Sequence, residues 1–439
     1  MPQFPSAVPA ATPIAAPSVL APRLLRGADA VAGVATTLLP FALLHGRAVA
    51  DMLLTAVDLL FLLRCALLGD WAWTRRPWVW AAAFVWAWLL LSSVVEAPAS
   101  AIAQAAVMVR LPLFVAACEA WALRDPRARR LLALSTALAA LWVAVESWQQ
   151  FLLGTNLFGE PRFFDGALTG PFAKPHAGAS YLRTLFPAVL PPALVLLRRR
   201  DVAGWLGALA LLGAAAATMV LIGQRMPMLL MVFGLGLAAL LLPRLRVPVL
   251  AALLLALAVI AATPIVSPPT YQKLVLHFLD QMRHFWVSDY GQIYLRGFAM
   301  LHASPLFGLG MVGFRAHCLD PAYVHGAAWL GVPDTAVSLV AGCNIHPHND
   351  WLELATAGGW PALLGFAVLA ALWLGTVARG LDAEAQPMRA ALLIMLAVLL
   401  WPFAASSSLF VVDAGGYVFL AAGWGLAEAA SHRQADARA

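Results

Sequence analysis

Val247-Pro-Val-Leu-Ala-Ala-Leu-Leu-Leu-Ala-Leu-Ala-Val-Ile-Ala-Ala-Thr-Pro-Ile-Val266 runs for twenty residues without a charge. A helix of that length rises about 30 Å, the thickness of a bilayer's hydrocarbon core. Comparable apolar runs recur near 28–45, 48–69, 78–95, 99–122, 131–153, 176–197, 203–222 and 226–242, and again near 360–378, 390–406 and 408–428. They make twelve candidate spans. Across the chain 62% of residues are hydrophobic and 11% charged, with a mean hydropathy of +0.82. Soluble domains carry about a quarter charged residues, so the composition selects an integral membrane protein. Long Leu/Ala-rich runs select helices over a barrel, whose strands would alternate over about ten residues. The expected fold is therefore all-α, with about 12 transmembrane helices.

The net charge of +6 reflects topology, not nucleic acid. Arg23, Arg26, Arg75, Arg76, the Arg124–Arg130 cluster, Arg198–Arg200, Arg244, Arg246, Arg379, Arg389, Arg433 and Arg438 all fall on one side of the predicted spans. The opposite short loops hold little beyond Arg47 and Arg225. The positive-inside rule then places both termini in the cytoplasm. The expected divisions are a disordered cytoplasmic tail over 1–27, helices 1–9 over 28–266, an outer helical loop over 267–359, helices 10–12 over 360–428 and a tail over 429–439. The Pro/Ala-rich N-terminus shows no clear cleavage site and reads as a tail before an uncleaved first helix. Tyr271 to Ala303 has the spacing of an amphipathic helix lying at the membrane surface. The same topology puts Gly154–Pro175 outside.

The outer loop closes on Asn344-Ile-His-Pro-His-Asn-Asp-Trp-Leu-Glu-Leu-Ala-Thr-Ala-Gly-Gly359, which concentrates two histidines, amides and two carboxylates. Asp350 followed by Glu353 resembles a capping box, so a helix is expected to start at Trp351. His348 just outside that start would be held neutral by the helix dipole and could accept a proton. His346, Asn349 and Asp350 are its supporting neighbours. His346-x-His348-x-Asp350 has the spacing of some metal sites, with His302, His317 or His325 as further candidate ligands. Trp351 stands where the metallohydrolase pattern has another His, and a helix cap with solvated histidines is the plainer alternative to zinc. No metal or other cofactor is expected.

Other charged residues are fewer and more telling. Arg225, in Gly223-Gln-Arg-Met-Pro227, tips an outer hairpin, where it can be solvated or can grip a phosphate with its planar fork. Arg296 ends Tyr290-Gly-Gln-Ile-Tyr-Leu-Arg296, and Arg183 lies one to two turns inside a span, where an ionisable residue is functional by default. Lys174 and His176 close Thr169-Gly-Pro-Phe-Ala-Lys-Pro-His176 and could face the same site or be ordinary loop residues. Arg110 and Asp58 are mid-span and are expected to pair with each other. Arg64, near a helix end, is expected to snorkel. Gly308-Leu-Gly-Met-Val-Gly313 matches G-x-G-x-x-G but follows no strand, so it reads as a turn that lets backbone approach helix ends. Cys318 and Cys343 share the outer loop and are expected to form a disulfide. Cys65 and Cys118 fall in spans as packing residues.

Four of these segments together resemble the O-antigen ligase/polymerase superfamily. They are Thr169–His176, Gly223–Pro227, Arg296 through Pro305–Phe314, and His348-Asn349 followed by nine residues and Gly359. The last resembles the family's H-[N/S/Q]-x9-G-x-x-G pattern, with Ala362 in place of its second Gly. The resemblance covers roughly 165–375. It implies a GT-C-like architecture and a metal-independent glycosyltransferase that takes glycan from an undecaprenyl diphosphate carrier at the periplasmic face of the bacterial inner membrane. His348 would be the general base, Arg225 and Arg296 the main diphosphate ligands, and Arg183 and Lys174 further ones. Attack opposite the leaving group would invert the anomeric centre. The implied partners are undecaprenyl-diphosphate-linked O-antigen as donor, lipid A-core as acceptor and membrane lipids. One long outer loop bearing the His motif leans towards a ligase over a polymerase or a protein O-oligosaccharyltransferase. A lipid-linked glycan transporter is the alternative from another class, but no internal repeat supports it.

Overall fold

The computed structural model describes residues 20–325, 328–332 and 339–436. Among them the chain is helical without a strand. α1 (Leu20–His45), α2 (Arg47–Leu68), α3 (Pro77–Glu96), α4 (Ala99–Val107), α5 (Arg110–Ala117), α6 (Pro126–Leu153), α7 (Ala177–Arg198), α8 (Val202–Ile222), α9 (Arg225–Leu241) and α10 (Arg246–Val266) form the first part. The loop that follows carries the short α11 (Pro268–Tyr271), α12 (His277–Arg283), α13 (Asp289–Ala303) and α14 (Gly313–His317). α15 (Asp350–Ala378), α16 (Pro387–Leu399) and α17 (Val412–Asp436) close the chain. Eight helices among the described residues are long and apolar enough to cross a membrane, and the chain is a multi-pass membrane protein. The remaining apolar runs are covered in large part by α2, α9, α16 and α17. α2 carries Arg47, Asp51, Asp58 and Arg64, and α9 has only 17 residues. α15 packs on α3, α1 on α2, α7 between α6 and α8, and α16 on α7.

Several expectations are corrected. The part of the expected tail after residue 19 is helical from Leu20, while residues 1–19 lie outside the described residues. At the other end α17 continues to Asp436, and 437–439 are likewise outside. The amphipathic stretch from Tyr271 to Ala303 is not one helix. It breaks at His284–Ser288, where Ser288 caps α13 through the Gly291 N–H. The expected spans 390–406 and 408–428 are separated by a non-helical segment from 400 to 411. α16 has 13 residues, about 20 Å of rise, short of a full hydrocarbon core. Arg110 pairs with Asp51 at 2.8 Å, not with Asp58. Asp58 is buried, and among the described residues neither carboxylate oxygen has a hydrogen bond. The partly exposed Arg64 lies 3.8 Å from Asp29 and over the Trp121 ring, contacts compatible with a snorkelling side chain.

α15 is interrupted where its sequence reads Gly358-Gly359. Gly359 has φ +64° and ψ −162°, a conformation essentially restricted to glycine. The break leaves carbonyls of the preceding turn without helical partners, a cost that an apolar surrounding cannot absorb. The Gly308-Leu-Gly310 turn supplies them. Leu309 N–H donates to Thr356 O at 2.8 Å and Gly310 N–H to Ala357 O at 3.1 Å, while Trp360 N–H donates to Pro305 O at 2.8 Å. Trp88 of α3 adds its indole N–H to Gly358 O at 2.9 Å. A Cβ on Gly308 would stand 2.6 Å from Gly358 N and Thr356 O, so the backbones approach more closely than any side chain permits. The short helical stub Asp350–Ala357 is thereby fixed at the end of the Trp360–Ala378 span. Replacing Gly359 with alanine should cost about 1–3 kcal/mol through backbone strain, with added strain from a Cβ 2.4 Å from Pro305 O. A lowered midpoint in thermal scans of the detergent-purified variant checks this; an unchanged midpoint would mean that the break tolerates a side chain.

Candidate functional site

The stub begins one residue earlier than the capping-box reading requires. Asn349 is the N-cap, and its Oδ1 accepts from Leu352 N–H at 2.9 Å. Its Nδ2 donates to Pro402 O at 2.7 Å and to Ala404 O at 3.1 Å, so the cap also fastens the 400–411 segment. Glu353 does not reach back to the cap. Its oxygens accept from Ser408 Oγ at 2.6 Å and Leu409 N–H at 2.9 Å, and Asp350 Oδ1 accepts from Ser406 Oγ at 2.6 Å. Trp351 donates its indole N–H to Leu400 O at 3.1 Å. Ser406 and Ser408 are site residues that the sequence reading absorbed into a span. Pro402 and the Ser406-Ser-Ser408 run were the available signal.

His348 has φ +50°, an unusual conformation for a side-chain-bearing residue. Its neighbours fix its tautomer. Asn344 Oδ1 accepts from Ile345 N–H at 2.7 Å, which turns the amide so that Nδ2 faces His348 Nε2 at 3.0 Å. Nε2 therefore accepts. Nδ1 lies 3.3 Å from Ser406 O, an acceptor, so Nδ1 carries the proton. Burial lowers the His348 pKa below the usual 6.5, against the opposing pull of the Ser406 carbonyl. The expected neutrality thus rests mainly on desolvation. His346 packs its ring 4.3 Å from that of His348, and its Nδ1 accepts from His348 N–H at 3.2 Å. Burial first, and the neighbouring His348 second, lower its pKa to about 4. Among the described residues no three His, Cys, Asp or Glu side chains group so as to hold a metal ion. His302 stacks on Trp329 and His317 meets the edge of Tyr323.

The cations expected around the base separate into two kinds. Arg225 is half-buried at the start of α9 and donates to Gln281 Oε1 and to His277 O at 3.4 Å. It lies within electrostatic reach of Tyr290, whose ring meets His348 edge-on at 5.9 Å. Tyr290 thus links Arg225 to His348. Gln224 secures this turn to the start of α7, donating to Pro175 O and accepting from Ala179 N–H at 3.2 Å. Arg183 is half-buried over the Tyr417 ring at 5.9 Å, within electrostatic reach of Asp350, Asp413 and His176. No hydrogen bond or ion pair holds its guanidinium among the described residues. Lys174 is exposed beside His176.

Arg296 is of the other kind. It is only 1% exposed, and its guanidinium donates to the carbonyls of Cys318, Leu339 and Ala341, the Leu339 bond measuring 2.9 Å. Expected on a ligand, it is turned into the loop instead. Cys318 and Cys343 are joined in a disulfide with Cα atoms 5.0 Å apart, so Arg296 and the bridge brace the chain just before Asn344. Lys273 pairs with Asp165 and ties the 154–175 segment to the same loop.

The family model described as O-antigen ligase matches residues 206–367, from α8 past the break in α15. The matched segment includes Arg225, Arg296, the Gly308–Gly313 turn, His348 and Gly359; Lys174 and Arg183 precede it. A comparison with curated proteins finds no match.

The Asn344 contact gives the tautomer a direct test. In Asn344→Asp a carboxylate replaces the amide donor and favours a proton on Nε2, so the His348 pKa should rise by about 1–3 units. Resonances of the imidazole followed through a pH titration report the shift. An unmoved His348 titration would show that Asn344 does not set the state of Nε2.

Proposed function

We propose, from the match of residues 206–367 to the O-antigen ligase family model, that the chain is an O-antigen ligase, transferring glycan from undecaprenyl diphosphate to a sugar hydroxyl of lipid A-core at the periplasmic face of the inner membrane. The observation that carries this reading is the Nε2 lone pair of a neutral His348, held by Asn344 on one side of the ring and Ser406 on the other. The acceptor hydroxyl displaces the Asn344 amide and takes its place on Nε2. Its oxygen attacks the anomeric carbon of the donor opposite the diphosphate. The new glycosidic bond forms as the bond to the diphosphate oxygen breaks, and the hydroxyl proton passes to Nε2. The anomeric centre inverts, and undecaprenyl diphosphate departs with the electron pair.

The developing charge on the diphosphate needs fixed cations. Arg225 meets that need from the Tyr290 side and Arg183 from the Asp350 side, with Lys174 at the exposed edge. Arg183 is well suited because, among the described residues, no hydrogen bond or ion pair holds its guanidinium, which lies over the Tyr417 ring. Arg296 serves differently, by bracing the loop that presents Asn344 and His348. Asn349, Asp350 and Glu353 position the base through the 400–411 segment.

His348→Gln should lower transfer about 10²–10⁴-fold while leaving membrane insertion and thermal stability near wild type. Arg183→Ala and Arg225→Ala should lower turnover without preventing folding. Purified protein supplied with lipid-linked O-antigen and lipid A-core should yield glycan-bearing lipid A-core; elongated lipid-linked glycan as the sole product would identify a polymerase. Full activity in His348→Gln would remove the base from this assignment. Activity should persist after exhaustive chelation, and its loss would revive a metal. The wild-type rate should fall on acidification through a pKa below 6.5, because the base must be unprotonated and its folded-state pKa is depressed. An acidic limb centred above 6.5 contradicts that assignment.

A further inference from the structure

A cavity of about 520 Å³ adjoins the His loop and is not lined by Arg225, Arg183, Tyr290 or Lys174. Its cations are Arg47 at the start of α2, Arg110 at the start of α5 and Arg315 in α14. Its volume falls within the range of small-molecule sites. Arg47 and Arg315 are exposed and make no ion pair among the described residues. Arg110 is held by Asp51, yet its Nε is buried and lacks a hydrogen-bond partner among those residues. Glu353 is the one carboxylate in the wall, and both its oxygens are occupied by Ser408 and Leu409. His346 contributes a donor of known orientation. Its Nδ1 accepts from His348 N–H, so in the neutral ring the proton is on Nε2. Three guanidinium groups and an N–H donor line this cavity, where Glu353 is the one lining carboxylate among the described residues and Asp51 offsets Arg110 alone, a balance that leaves Arg47 and Arg315 to an anion.

We propose that this cavity is an acceptor subsite for a phosphorylated sugar, gripped by Arg47, Arg110 and Arg315 and oriented by His346. The inference rests on the transferase reading above and adds what the acceptor must carry. A phosphate monoester brings a charge of about −1.5 to −2 and three acceptor oxygens, which three arginines match better than they match a single carboxylate. The His346 ring is shared between this cavity and the base, with 4.3 Å between the two imidazole centroids. A sugar anchored by its phosphate in the cavity therefore presents a neighbouring hydroxyl within one ring of His348. Donor and acceptor then occupy separate cationic surfaces, on either side of one loop.

Binding is measured first, since it requires no turnover. Full-length protein in phosphatidylcholine nanodiscs is titrated with lipid A-core glycolipid, either intact or treated with phosphatase. Intact glycolipid should bind at least tenfold more tightly than the treated form. Arg315→Ala and Arg47→Ala, both at exposed positions, should each abolish most of that difference and leave binding of donor unchanged. Equal binding of the two glycolipids, or variants that retain the full difference, overturns the subsite. Loss of the difference in phosphatidylglycerol nanodiscs, or in millimolar inorganic phosphate with no preference for the sugar, would identify a lipid-headgroup or free-phosphate site and overturn it too. Transfer is assayed separately. Wild-type protein that binds the phosphorylated glycolipid but transfers nothing refutes the ligase reading alone, whereas transfer with an unchanged acceptor KM in Arg315→Ala refutes the subsite alone.

Discussion

An interrupted helix in an apolar setting creates a debt of unpaired backbone groups, and the architecture of this protein follows from how α15 meets it. At Gly358–Gly359 the break frees carbonyls that lipid cannot satisfy. The Gly308–Gly310 turn enters the gap and donates to them, which brings the middle of the outer loop back onto the helix that follows it. The close approach excludes a side chain at Gly308 and at Gly359 for the same reason. What results is a short helical stub, rigid at both ends, with His348 just outside its cap. A continuous helix would have no such insertion point for the loop.

Charge is scarce in the chain, and the structure divides it by task. Arg296 and the Cys318–Cys343 bridge brace the loop internally. Arg225 lies within electrostatic reach of Tyr290, whose ring meets His348, and Arg183 within reach of Asp350. Asp350 and Glu353 are directed onto the serines between α16 and α17 instead of into solvent. A buried carboxylate is costly unless hydrogen-bonded, and these bonds also fix the second wall of the site.

The membrane class and most of the helical runs were legible because both depend on local sequence. Long apolar runs need only length and composition, and Gly308–Gly313 could be read as a turn because it lacks a strand. Pairings across the fold were not legible in the same way. Mid-span position pointed to Asp58 as the partner of Arg110, but Asp51 lies two turns away on the same helix, and packing chose it. Arg296 looks the same in sequence whether it faces a phosphate or three backbone carbonyls. The 400–411 segment was hidden by its apolar surroundings, since Trp401, Phe403, Leu409 and Phe410 mask the polar groups between them. The cap moved from Asp350 to Asn349 because Asn349 can accept from the helix and donate to a neighbouring segment at once, which a carboxylate cannot.

That second segment explains the unusual backbone at His348. A φ of +50° is unfavourable for a residue with a side chain, and it persists only where the surroundings hold it. Ser406 does so at two points. Its N–H donates to His348 O at 2.9 Å, and its own carbonyl accepts from His348 Nδ1 at 3.3 Å. Backbone and ring of one residue are thus secured by backbone groups of another, leaving Nε2 as the nitrogen able to receive a proton. Ser406 itself is tied through its hydroxyl to Asp350, on the stub that the glycine break fixes. The interruption of α15 and the basicity of a single nitrogen are in this way consecutive links of one hydrogen-bonded chain.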